Sequence, residues 1–82
     1  MEFSFALTRE ASVTAEITTL GGKLVSTVES GRAAGVGETR LLWNGRSASG
    51  AAIAPGPYLV RVRARGENGE PAVQTRMFMS VR

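Results

Sequence analysis

Apolar and polar residues alternate along most of this chain. Phe3, Phe5 and Leu7 alternate with small or polar neighbours, and Val13, Ala15 and Ile17 are interleaved with Thr14, Glu16 and Thr18. Tyr58, Val60, Val62 and Ala64 likewise alternate with Leu59, Arg61, Arg63 and Arg65. Successive side chains of a strand leave opposite sides of the backbone, so a period of two marks a strand with one dry face and one wet face. Ten glycines and three prolines interrupt the runs and leave no stretch for an amphipathic helix. The pattern predicts strands over 2–8, 12–19, 23–30, 37–44, 51–54, 58–66 and 71–81. About seven short strands with regular turns point to an all-β sandwich of two antiparallel sheets.

One turn allows a register to be drawn. Glu67-Asn68-Gly69-Glu70 carries the Asn-Gly pair of a two-residue type I′ hairpin, whose central residues both need positive φ. That turn would set Val62 opposite Thr75, Val60 opposite Met77, Tyr58 opposite Met79 and Ala64 opposite Val73 on the inner face. Outside, Arg61 would face Arg76, Arg63 would face Gln74, and Leu59 would meet Phe78. Like charges directly opposed are unfavourable. The pairing therefore calls for a neighbouring glutamate, a bulge that shifts the register, or an anionic partner. An outward Leu59–Phe78 pair calls for cover by a loop or the Trp43 ring, or for a neighbouring domain or chain.

Composition narrows the chemistry. The 82 residues suit one domain, 1–82, with 43% hydrophobic and 21% charged residues, too apolar for a disordered tail. There is no histidine and no cysteine, which removes imidazole catalysis, thiol chemistry, zinc fingers and disulfide staples. All seven acidic residues are glutamates, so a calcium loop built on Asp/Asn spacing is absent as well. Serines such as Ser12, Ser26, Ser47 and Ser49 have no histidine to activate them, and the single lysine, Lys23, sits in a predicted exposed turn. A self-formed isopeptide bond wants a buried lysine, which argues against one here. Gly31 to Gly37 lacks the Lys-Ser/Thr and the helix of a phosphate cradle and reads as a flexible connection between strands. No catalytic, cofactor or metal residues are expected.

The net charge of +3 comes from ten basic residues, mostly arginine. Arg61, Arg63 and Arg65 share one strand face, which Arg76 would extend, and with Leu59 and Phe78 they form the candidate interaction surface. Such a stripe suits an anionic polymer. The few aromatic residues are needed in the core, which disfavours nucleic acid, and a solvated face with Glu16 or Glu38 as partners is the commoner outcome. No apolar run approaches the roughly 20 residues of a membrane helix. Met1-Glu2-Phe3 opens without the basic head and apolar run of a signal peptide.

The stretch from Trp43 to Tyr58, Trp43-Asn44-Gly45-Arg46-Ser47-Ala48-Ser49-Gly50-Ala51-Ala52-Ile53-Ala54-Pro55-Gly56-Pro57-Tyr58, carries the most specific motif. Its Trp43, Asn44, Gly45, Arg46, Gly50, Pro55, Gly56 and Tyr58 resemble the signature of the immunoglobulin-like domain named after the flagellar hook-capping protein FlgD. Gly22-Lys23-Leu24-Val25 resembles a second element of that family. Asn44, Ser47 and Thr18-Thr19 depart from its usual acidic and aromatic residues, which weakens any inference of a carboxylate ion site. Each motif residue also has an architectural role. Asn44-Gly45 and Gly50 reverse the chain, Ile53 plugs the core, and Pro55-Gly56-Pro57 delivers Tyr58 to the next strand. Trp43 closes the core, with its indole N–H seeking a loop carbonyl.

The resemblance implies an immunoglobulin-like or fibronectin III-like sandwich that is not an enzyme. It implies a structural or interaction module, a spacer, anchor or sorting platform at the C-terminal end of a larger exported bacterial protein. The partner would be a neighbouring domain of the parent chain or another protein, at an extracellular or cell-surface location, or in the periplasm. The chain stops at Val81-Arg82, directly after the last predicted strand, which favours that setting over the alternative, a hook-capping scaffold domain. A third reading is a weak polyanion- or carbohydrate-binding module.

Overall fold

A computed structural model describes residues 1–66, 69 and 71–81. Among the described residues six strands form two antiparallel sheets: β1 (Glu2–Leu7), β2 (Ala11–Thr19), β3 (Leu24–Ala34), β4 (Gly37–Leu42), β5 (Gly56–Arg65) and β6 (Pro71–Ser80). One sheet pairs β1 with β4, and the other runs β3-β2-β5-β6. The alternating residues do what their pattern predicts. Val13, Ala15 and Ile17 of β2 and Val60, Val62 and Ala64 of β5 are buried beneath Phe5, Leu41 and Trp43 of the smaller layer. Every buried side-chain N or O among the described residues has a hydrogen-bond partner.

Three expectations are corrected. Residues 51–54 form no strand; Arg46 and Ala52 make one isolated bridge, because Gly50 and Pro55 hem in too short a segment. Ile53 still packs, half-buried, against the core. The glycine-rich stretch is no flexible connection at its start, since Gly31–Ala34 belongs to β3. Gly31 adopts φ 70° where the β2–β3 ladder shifts register, and its N–H donates to Thr14 Oγ1 at 3.2 Å. Glycine there absorbs a bulge, and pairing resumes with Arg32 opposite Val13.

The third correction is the β5–β6 register. Val62 faces Gln74, Val60 faces Arg76, Tyr58 faces Phe78 and Ala64 faces Ala72. Arg61 therefore faces Thr75 and Arg63 faces Val73, so no arginines oppose each other, and Leu59 faces Met77. The last pair is Arg65 with Pro71, and the whole ladder is shifted by one position from the one drawn. Gly69 has φ 76°, and its N–H donates to Gly66 O at 3.0 Å. Glu67, Asn68 and Glu70, on which the type I′ turn rested, lie outside the described residues. A one-residue slip exchanges the two faces of a strand. It turns Phe78 inward, where its ring lies 5.3 Å from Phe3, 5.9 Å from Tyr58 and 6.1 Å from Trp43. Edge-to-face and stacked rings of this kind add about 0.5–1.5 kcal/mol per pair beyond area burial. The drawn register would have left that ring outside.

Candidate interaction surface

The Trp43–Tyr58 loop is built by its own side chains. Gly45 (φ 77°) and Gly50 (φ 87°) take the left-handed conformations that the two reversals need. Asn44 Oδ1 accepts the Arg46 N–H at 3.0 Å, an Asx turn that mimics a backbone bend. The Trp43 indole donates to Arg46 O at 3.0 Å, so its ring is buried with its one polar atom satisfied. Arg46 Nη1 donates to Gly50 O at 3.0 Å, a tie that the sequence does not reveal. Tyr58, at the start of β5, reaches back to donate its hydroxyl to Ala54 O at 2.7 Å. That is the tyrosine corner of immunoglobulin-like sandwiches, where a tyrosine entering a core strand fastens the preceding connection. All of these polar groups are committed to holding the loop.

The outward face of the four-stranded sheet has two halves. At one end Arg61, Arg63 and Arg65 stand exposed along β5, as their alternation predicts. Glu16 of β2 ties down Arg63 at 3.0 Å, whereas Glu38 pairs with Arg40 at 2.9 Å on the other sheet. The Glu38 contact holds the Arg40 guanidinium pKa above its ordinary value, first through the hydrogen bond and then through charge attraction, with Glu2 adding to it. Arg61 has no ion-pair partner among the described residues.

At the other end, paired positions cross the sheet from Leu24 through Thr18 and Leu59 to Met77. Leu24 and Met77 are more than half exposed, as is Met79 opposite Pro57. This apolar row was missed because it needs the correct β6 register and a contribution from β3.

Two residues assigned to this surface lie elsewhere. Arg76 shares the inward parity of Val60, and Phe78 shares that of Tyr58. The same slip that seated the Phe78 ring carried both off the arginine face. Trp43 also lies on the inner side and gives Leu59 no cover.

A concavity of about 540 Å³ opens beside Glu10, Ser12, Gly31 and Arg65. One acid and one base at its rim make no constellation for acid–base work. No group of three or more metal-ligating side chains occurs among the described residues, and no described helix is long and apolar enough to cross a membrane.

Residues 1–68 match the FlgD Ig-like domain. The chain belongs to that family. The crystal structure of FlgD from P. aeruginosa is similar to it, with a TM-score of 0.76 and 24% sequence identity over 90% of this chain. At that identity the likeness speaks for the fold alone. The chain spans 56% of the length of that protein. No curated protein sequence matches it. Within the FlgD Ig-like family match lie the whole Trp43–Tyr58 loop and strands β1 to β5, while β6 falls beyond it.

Proposed function

We propose that this FlgD Ig-like domain is a non-catalytic interaction module of an exported bacterial assembly, spacing its neighbours and docking on them. The observation that carries the reading is the membership of the family, together with a signature loop whose polar groups all serve architecture. The sandwich adds a rigid element about 39 Å long. It offers the outward face of its larger sheet, where Leu59 and Met77 lie next to Arg61, with Arg65 at the far end of β5. Exposed apolar side chains such as Leu24 and Met77 beside charge are a common form of docking surface.

Two settings suit such a module: the end of a larger exported protein, as spacer, anchor or sorting platform, and the scaffold of a flagellar hook cap. The family's name favours the second. Deleting the segment for residues 1–82 from the parent gene tests the reading. Loss of extracellular retention or of hook assembly, with the rest of the parent protein still produced, is the expected result. Unchanged export, retention and assembly would overturn it.

A further inference from the structure

The two layers of the sandwich are unequal. Two strands cover four, and the cover runs out over β6. Phe78 is packed under Phe3, but Gln74 and Arg76, which point to the same side, are exposed. Between them and β1 runs a groove of about 280 Å³ with Val60 and Val62 in its floor and Phe5 and Ser4 in its wall.

The wall of the groove is an open sheet edge. Met1 and Trp43 exchange both backbone hydrogen bonds, at 2.8 Å each. In an antiparallel ladder such pairs alternate with pairs that share none, so Phe3, Phe5 and Leu7 bond to β4. The amides and carbonyls of Glu2, Ser4 and Ala6 then point away from β4, and no described strand pairs with them. An immunoglobulin-like constant domain has seven strands, and among the described residues no strand lies beside β1 on the side away from β4.

We infer that this groove accepts an extended segment of a partner protein, which adds to β1 as a third strand and closes the sandwich over β6. Backbone pairing with Glu2, Ser4 and Ala6 supplies the register, and alternate side chains of the incoming strand fall onto Val60 and Val62. Arg76 specifies the chemistry. It has no ion-pair partner among the described residues and lines the groove, so it selects a strand with a carboxylate among its inward-facing side chains. A second copy of this chain fits less well, because two β1 edges paired about a twofold axis bring two Arg76 side chains together between bodies that each carry +3. The inference rests on the interaction-module reading and adds a partner class to it.

The probe is a synthetic peptide, Thr-Val-Thr-Glu-Thr-Val-Thr, added in excess to the 82-residue chain and followed by amide hydrogen exchange. The expected result is that the Ser4 and Ala6 amides slow by about tenfold or more, a measure of local protection. Ser4→Pro removes only an outward N–H and should abolish that protection at Ala6 while leaving Trp43 fluorescence unchanged. Arg76→Glu should shift the preference to a peptide with lysine in place of its glutamate. Unchanged exchange rates with the peptide, or equal binding by Ser4→Pro, would overturn the inference. So would protection that rises with protein concentration alone, since that would assign the edge to a second copy. Ser4→Pro placed in the parent gene separates the two readings. If it leaves export and assembly intact while deletion of residues 1–82 abolishes them, the groove is excluded and the module stands.

Discussion

Tyr58, Trp43 and Gly45 show how single residues hold the long connection between β4 and β5. The Tyr58 hydroxyl is solvent-exposed at its bond to Ala54, so Tyr58→Phe should cost about 0.5–1.5 kcal/mol, the usual net worth of one hydrogen bond. Urea denaturation followed by Trp43 fluorescence measures it, and a loss well above that range would mean the ring as well as the hydroxyl is disturbed. Gly45→Ala forces a side chain into φ 77°, although nothing lies within 4 Å of the added carbon. Its cost should be the backbone strain alone, about 1–2 kcal/mol. A neutral Gly45→Ala would show that the loop relaxes out of the left-handed region. The chain reversals were legible beforehand because they are local: Asn-Gly and Pro-Gly-Pro act on the residues next to them, and Trp43 was expected to find a loop carbonyl. The acceptors, Arg46 O for the indole and Ala54 O for the phenol, were not, because a carbonyl leaves no mark in sequence.

Strands were legible as elements wherever alternation ran for five or more residues, as in β2 and β5. They were misjudged where glycine stood inside a ladder. Gly31 reads as a break, yet a bulge lets a strand pass through glycine and continue. The β6 register failed for a related reason: a short turn was assumed from Asn68-Gly69, and each position of slip exchanges the faces of the whole strand. The corrected pairing makes a prediction at this scale. Phe78→Ser should destabilise by about 1–3 kcal/mol, less than a fully buried phenylalanine, whereas Met77→Ser should stay within about 0.5 kcal/mol. Comparing their thermal midpoints decides the register, and the reverse order would restore the one drawn from the turn. Backbone contacts between Val62 and Gln74 by NMR give an independent check.

For the molecule as a whole, size sets the margin. In domains close to this size and without disulfides, a single core rarely supplies more than roughly 3–5 kcal/mol. Ile17 is fully buried between the layers, so Ile17→Ala, at about 2–5 kcal/mol, should leave much of the population unfolded at 37 °C by circular dichroism. A variant that keeps its native spectrum and midpoint would show that the layers can collapse around the missing atoms. The arginine face is weaker as a polyanion site than its sequence suggests, because Glu16 holds Arg63 and Arg76 sits on the opposite side of the sheet. Retention on heparin should therefore be slight and gone by about 0.15 M salt, where charges farther apart than about 8 Å are screened. Tight retention at that salt would revive a binding role for the face.

Periodicity and turn residues were enough to establish an all-β chain, the dry face of most strands, and the signature loop. Each of those depends on neighbours in the chain, where a side chain's position follows from backbone geometry alone. Which strands pair, how β6 is registered, and that a two-stranded layer stops short of β6 were decided only by tertiary packing. Those outcomes depend on contacts between residues far apart in sequence, such as Phe3 with Phe78, and a ring needing burial settled what the turn could not.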